Sequence, residues 1–142
     1  MLITHVRLKN WRNFQQLDVP LREVSYVLGA NATGKSNLLD AFRFLRDISK
    51  PAGGGLQTAI KERDGIAKVR CLHARRDTEV LIDVSLGESA DAPAAWRYVL
   101  GFKPEGKGAQ RLLVSHEEVW RDGVQVLKRP NASDDADVML RT

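Results

Sequence analysis

Residues Gly29-Ala30-Asn31-Ala32-Thr33-Gly34-Lys35-Ser36 fit the pattern G-x-x-x-x-G-K-[ST], between an apolar extended segment and an amphipathic helical one. Such a loop commits a chain to a strand-loop-helix unit. Its two glycines let the backbone curl so that successive N–H groups point inward, making an anion nest at the positive end of a helix dipole. The pattern therefore predicts binding of a nucleoside triphosphate. The nest holds the α- and β-phosphates, Lys35 reaches the β- and γ-phosphates, and the Ser36 hydroxyl ligates a bridging Mg²⁺; Ala32 and Thr33 serve mainly through backbone N–H groups.

The flanks agree with that context. Val24-Ser25-Tyr26-Val27-Leu28 is short, β-branched and aromatic and ends at Gly29, which predicts a buried strand. After the loop, Leu38, Phe42, Leu45 and Ile48 recur at helical spacing, with Asp40, Arg43 and Asp47 opposite and Arg43/Asp47 placed as an i,i+4 pair. The helix is expected from about Gly34 to Ile48, stopping before Pro51.

With 142 residues the chain has the size of one domain and can bury a real core. Met1 to Lys9 alternates, and after Asn10-Trp11-Arg12-Asn13 the segment Phe14 to Pro20 is again extended, so a hairpin precedes the loop. Gly53-Gly54-Gly55 reads as a loop and Leu56 to Glu62 as a short helix; if Ala67 to Leu72 is a strand, Lys68 and Arg70 share a face. Val80 to Leu86, Trp96 to Phe102, Arg111 to Trp120 and Val124 to Lys128 then follow as strands, the last two joined at Arg121-Asp122-Gly123. Strands in succession without helices between them predict an antiparallel sheet added to the phosphate-loop unit, in an α/β P-loop fold.

Composition limits the alternatives. No apolar run is long enough to span a bilayer and Met1 leads into a strand, so a cytoplasmic protein with no membrane partner is expected. Cys71 stands alone, which excludes an internal disulfide and reads as a buried structural thiol. The net charge of +4 is compatible with nucleic acid. Its densest source, Lys61, Arg63, Lys68, Arg70, Arg75 and Arg76 with His73, is either a solvated face or a surface for nucleic acid or a partner.

The opening Ile3 to Phe14, followed by Gly29 to Ser36 and Asn37-Leu38-Leu39-Asp40-Ala41, resembles the amino-terminal half of ABC-type ATPases of the RecF, SMC and OLD group. Ala32 stands where many of these proteins have glycine, as OLD-like members often do. The resemblance implies that residues 1–142 are the first, ATP-binding lobe of such a head, ending before the signature and Walker B motifs. It also implies that the Asn10 to Phe14 turn lies beside the triphosphate, making Arg12 and Asn13 phosphate contacts; on the residues alone Arg12 is equally a solvated charge. The implied ATP-binding set is Arg12, Asn13, Gly29, Asn31, Ala32, Thr33, Gly34, Lys35, Ser36 and Asn37, with Ser36 on the metal.

No catalytic residue is assigned within these residues. Walker B needs an apolar strand ending in Asp-Glu, and the nearest imitation, Val80-Leu81-Ile82-Asp83, continues into Val84, so Asp83 is expected on the solvent face. His116-Glu117-Glu118-Val119-Trp120 lacks the second ligand of a zinc-protease helix. The magnesium-sensing glutamine of such ATPases is not assignable among Gln57, Gln110 and Gln125. Three readings follow: an ATPase lobe that dimerises around two nucleotides and acts with DNA in repair or defence; a nucleotide-dependent switch without turnover; and a P-loop kinase or GTPase, which the leading hairpin disfavours.

Overall fold

The computed structural model describes residues 1–30, 33–74, 76–106 and 111–131. They form strands β1 (Leu2–Trp11) and β2 (Phe14–Pro20), helices α1 (Lys35–Ile48), α2 (Leu56–Lys61) and α3 (Ile66–Val69), then strands β3 (Val80–Gly87), β4 (Trp96–Pro104), β5 (Leu112–Arg121) and β6 (Val124–Arg129). The strands make one six-stranded sheet in the order β2-β1-β3-β4-β5-β6, antiparallel at every junction. At the β5–β6 turn Asp122 and Gly123 both take positive φ, 48° and 79°, the geometry whose twist matches a tight hairpin.

The period-2 pattern sends Val6, Leu8, Ile82, Val84, Leu100 and Phe102 to one face, and the helices cover it with Leu38, Ala41, Phe44, Ala59 and Ile60. Phe44 is the centre of this core. Its ring lies 5.1 Å from that of Trp11 and 5.7 Å from that of Phe102, in tilted pairs that add specificity to the buried area. Cys71 is buried, as a structural thiol should be. Among the described residues no helix is long and apolar enough to cross a membrane.

Several expectations need correction. Val24 to Leu28 is not a strand: it pairs with nothing in the sheet, and Tyr26 and Leu28 are 84% and 88% exposed. A strand exists only with a hydrogen-bonded neighbour, and the sheet order places none beside this segment. Ala67 to Leu72 is also not a strand. Of its residues Val69 and Cys71 are buried, but a helical turn opened by Gly65 (φ 93°) delivers Val69 to the core, leaving only an isolated bridge from Arg70 to Trp11.

In α1 the most deeply buried apolar residues are Leu38, Ala41 and Phe44, with Phe42 half-buried. Asp47 lies inside rather than outside, and its partners are Arg46, Lys50 and Arg63 in place of Arg43. Asp83 does leave the helix-covered face, but it is 5% exposed rather than solvated. Arg97 from β4 lies over it with bonds of 2.9 and 2.7 Å and Arg7 from β1 approaches to 3.5 Å, both from cross-strand neighbour rows, so charged side chains roof the carboxylate.

Candidate phosphate-binding site

The β1–β2 turn, the phosphate loop and the first turns of α1 form one hydrogen-bonded unit. Asn10 and Arg12 take positive φ, 54° and 53°, on either side of Trp11 where β1 ends and the chain reverses. Asn10 is the less costly residue for that conformation, and its Nδ2 donates to the carbonyls of Asp77 (3.1 Å) and Glu79 (2.7 Å). Between them Trp11 is wholly buried, and its indole N–H donates to the Asn37 carbonyl in the first turn of α1 at 2.8 Å. The Arg12 N–H donates to Val69 O and the Cys71 N–H to Asn10 O, which closes the turn against α3.

Asn13 joins the turn to the loop. Its Nδ2 donates to Thr33 O at 3.4 Å and its Oδ1 accepts from Asn37 Nδ2 at 2.8 Å, so one amide spans both ends of the Gly34 region. This approach requires a glycine. Gly34 has φ 102°, and a Cβ there would collide with Asn13 Nδ2 and lie 2.8 Å from Asn13 Oδ1 and 2.9 Å from Phe14 Cζ. At the other end of the loop, a Cβ on Gly29 would lie 2.5 Å from Thr33 Oγ1, which itself donates to Ala30 O at 2.7 Å.

The Lys35 ammonium folds back over this cradle, donating to Gly29 O and, at 2.9 Å, to Ala30 O. Among the described residues its partners are carbonyls and no carboxylate, so it carries a positive charge across the loop mouth that an anion can take up. Ser36 is exposed at the start of α1, beside Lys35. The sequence-predicted set is therefore gathered here as far as it is described: Arg12, Asn13, Gly29, Thr33, Gly34, Lys35, Ser36 and Asn37. Asn31 and Ala32 lie outside the described residues.

Arg12 is not a solvated charge. Its Nε and Nη2 donate to Asp40 Oδ2 at 3.2 and 2.8 Å, and its Nη1 to Lys68 O at 3.1 Å. Asp40 is shared with Arg63, which reaches both its oxygens at 3.1 to 3.2 Å and also Asp47 Oδ2 at 2.9 Å. Burial by itself would raise the Asp40 pKa, but the hydrogen bonds from Arg63 and then Arg12 outweigh it and hold the carboxyl below its ordinary range. Asp47 is held far below that range, first by Arg63 and then by Lys50 and Arg46. This second layer, Trp11, Asp40, Asp47 and Arg63, is what sequence reasoning missed. Its one legible sign was the odd placement of two aspartates on a helix whose other face is apolar.

Other sequence candidates lie elsewhere. Gln57 Nε2 donates to Leu112 O, His116 faces Glu79 from strand β5, and Asp83 is on the far face of the sheet.

Comparison with known proteins places this geometry in a family. Residues 24–136 match the family model described as "AAA domain, putative AbiEii toxin, Type IV TA system". The chain is 30% identical over 103 residues to the DNA replication and repair protein RecF of Roseiflexus castenholzii, covering 67% of this chain and 26% of that protein. It is 28% identical over 107 residues to Endonuclease GajA of Bacillus cereus (strain VD045), covering 70% of this chain and 18% of that protein. A shorter stretch of 46 residues is 46% identical to RecF of Chlamydia caviae, covering 32% of this chain and 12% of that protein. The chain thus spans about a quarter or less of these curated relatives. It belongs to the AAA-domain family of ATPases, with the head of an ABC-type ATPase of the RecF and OLD-like group.

Proposed function

We propose that these residues are the first lobe of an ABC-type ATPase and bind Mg-ATP in the loop Gly29 to Ser36. The observation that carries this is the Lys35 ammonium lying across the loop mouth on carbonyl partners, framed by glycines whose side-chain space is already taken by Asn13 and Thr33. When bound, the nucleotide supplies phosphate oxygens and Mg²⁺ supplies a bridging charge. Backbone N–H groups at the start of α1 would donate to the phosphate oxygens, Lys35 would offset their charge, and the Ser36 hydroxyl would hold the metal. Asn37 and Asn13 keep the loop and turn in register, and Arg12, which the family resemblance assigns to the phosphates, is bonded to Asp40 beyond the loop.

The complete protein, in this reading, pairs two heads around two nucleotides and couples their closure to DNA in repair or in defence against foreign DNA. The names of its relatives, a DNA replication and repair protein and an endonuclease, support that direction. Within these residues a second reading, nucleotide binding without turnover, is favoured by Asp83: the carboxylate most like a Walker B aspartate is roofed by Arg7 and Arg97 on the far face of the sheet.

The test is titration of the chain with a fluorescent ATP analogue, with and without Mg²⁺. Lys35→Ala should weaken binding by about tenfold or more, as removal of a charge-assisted phosphate contact does. Equal affinity in wild type and variant would remove the assignment.

A further inference from the structure

We propose that the chain's own residues 132–142 dock on the apolar cavity between the end of α1 and strands β4 to β6, with Val138-Met139-Leu140 filling it and Asp134, Asp135 and Asp137 set against its basic lip. The inference goes beyond the nucleotide reading and does not depend on it.

The cavity marks where the helices stop covering the sheet. Phe44 and Ile60 are buried, whereas Leu45, Ile48, Leu86 and Tyr98, which border the same core, are only partly so. Between them lies a cavity of about 690 Å³ whose apolar walls also include Leu100 and Val114. A water molecule's share of liquid volume is about 30 Å³, so there is room for several side chains, and covering apolar walls of this kind is favourable. The polar groups at its far end already have partners: Tyr98 O–H donates to Glu117 Oε1 at 2.7 Å and Arg129 Nε to Glu117 Oε2 at 2.9 Å. The vacant space therefore suits an apolar occupant.

Two observations choose that occupant. The first is where the chain leaves the sheet. Arg129, the last residue of β6, lines the cavity, so the residues after it set out from the cavity's edge. Val138 comes seven residues after Asn131, a reach of up to about 23 to 25 Å, and Val138-Met139-Leu140 is the one run of large apolar side chains in residues 130–142. An occupant from the same chain also avoids the entropy lost when a second molecule associates.

The second observation is charge. Arg46 lines the cavity and Lys50 follows it by one helical turn, both bonded to Asp47. Asp40 and Asp47 together hold Arg12, Arg46, Lys50 and Arg63, so positive charge is in excess there, and the Arg46 and Lys50 side chains are 67% and 44% exposed. Asp134, Asp135 and Asp137 stand directly before the apolar run, with the single cation Arg141 after it. The segment thus brings the opposite sign to the lip and an apolar run to the cavity.

Methyl NMR on the whole chain tests this. The methionines are Met1 and Met139, so a methionine-methyl label gives two resonances, and that of Met139 is identified by its loss in Met139→Leu. It should show cross-relaxation with the Tyr98 ring and be shifted by it from the free-peptide position. Asp134→Asn, Asp135→Asn and Asp137→Asn combined, or raised salt, should move it back toward that position. A chain ending at Asn131 should bind anilinonaphthalene sulfonate with brighter fluorescence and lose about 4 °C or more of Tm. A Met139 methyl at the free-peptide position without contact to Tyr98 overturns the proposal, as does dye fluorescence unchanged by the truncation or a resonance unmoved by the three asparagines. Cross-relaxation seen only between differently labelled chains in a mixed sample overturns it as well, since the occupant is then a second copy's segment. The wild-type spectrum needs no variant for the Tyr98 contact, so a folding defect in the truncated chain does not shield the proposal. The ATP titration reads a different site, so either reading can fail without the other.

Discussion

Gly34→Ala is the substitution whose cost the structure fixes most directly. Gly34 sits at φ 102°, ψ 6° as the residue before α1, and an L side chain in such a left-handed conformation costs about 1 to 2 kcal/mol. The added Cβ also collides with the Asn13 amide and approaches Phe14 Cζ to 2.9 Å. Asn13 must turn away, giving up its bonds to Thr33 O and from Asn37 Nδ2, at about 0.5 to 1.5 kcal/mol each. The expected loss is therefore about 2 to 5 kcal/mol, read by urea denaturation, with about tenfold or more weaker Mg-ATP binding as the loop loses its brace. The two components separate in a cycle with Asn13→Ala. In that background Gly34→Ala should cost only the backbone strain and whatever Phe14 adds, so the double variant should be less damaged than the sum of the singles. Strict additivity would mean that Asn13 does not occupy the space a Cβ needs, and a wild-type stability for Gly34→Ala would refute the strain argument as well.

The buried aspartate gives a pH signature. Asp47 is depressed in the folded state, so its contribution is fully present above the ordinary carboxylate range and disappears as pH falls through the lower folded value. Asp47→Asn should cost about 2 to 4 kcal/mol at pH 7, as breaking a buried pair does, with the difference from wild type shrinking in denaturation curves taken below about pH 4; a pH-independent difference would show that Asp47 acts by packing. Trp11→Phe keeps an aromatic ring beside Phe44 but loses the donor to Asn37 O, so calorimetry should show a loss of about 1 to 3 kcal/mol, and no loss would mean that the hairpin turn is held by Asn13 and α3 alone.

The sheet was the legible part of this fold, because alternation reports a face directly and needs only local neighbours. β2, β3, β4 and β6 fall where the period-2 pattern places them, and the Asp122-Gly123 turn has the positive φ values its residues suggest. Val24 to Leu28 was illegible for a complementary reason. Its composition states a preference for a buried extended conformation, but whether a strand forms depends on a partner, and local sequence says nothing about where the partner is. Ala67 to Leu72 shows the same limit at smaller scale, since two inward residues, Val69 and Cys71, are too little pattern to separate a helical turn from a strand.

In the candidate site, the residues proposed to meet phosphate are readable because their chemistry depends on backbone curvature and a fixed spacing, both written in consecutive positions. The residues that govern them are not, since their roles arise from encounters across the chain: Arg12 with Asp40, 28 positions away, and Asp40 with Arg63, 23 positions away. An arginine in a turn and an aspartate on a helix each look solvated when read alone. Only the fold reveals that Asp40 belongs to two arginines at once, and that sharing changes its meaning. Had Asp40 a single guanidinium, the pair would be a fixed brace, because removing either partner would leave a costly unpaired charge. With the Arg63 side chain 8% exposed and that of Arg12 24% exposed, the carboxylate retains its deeper partner when the outer one is removed, so substitution of Arg12 leaves no unpaired buried charge.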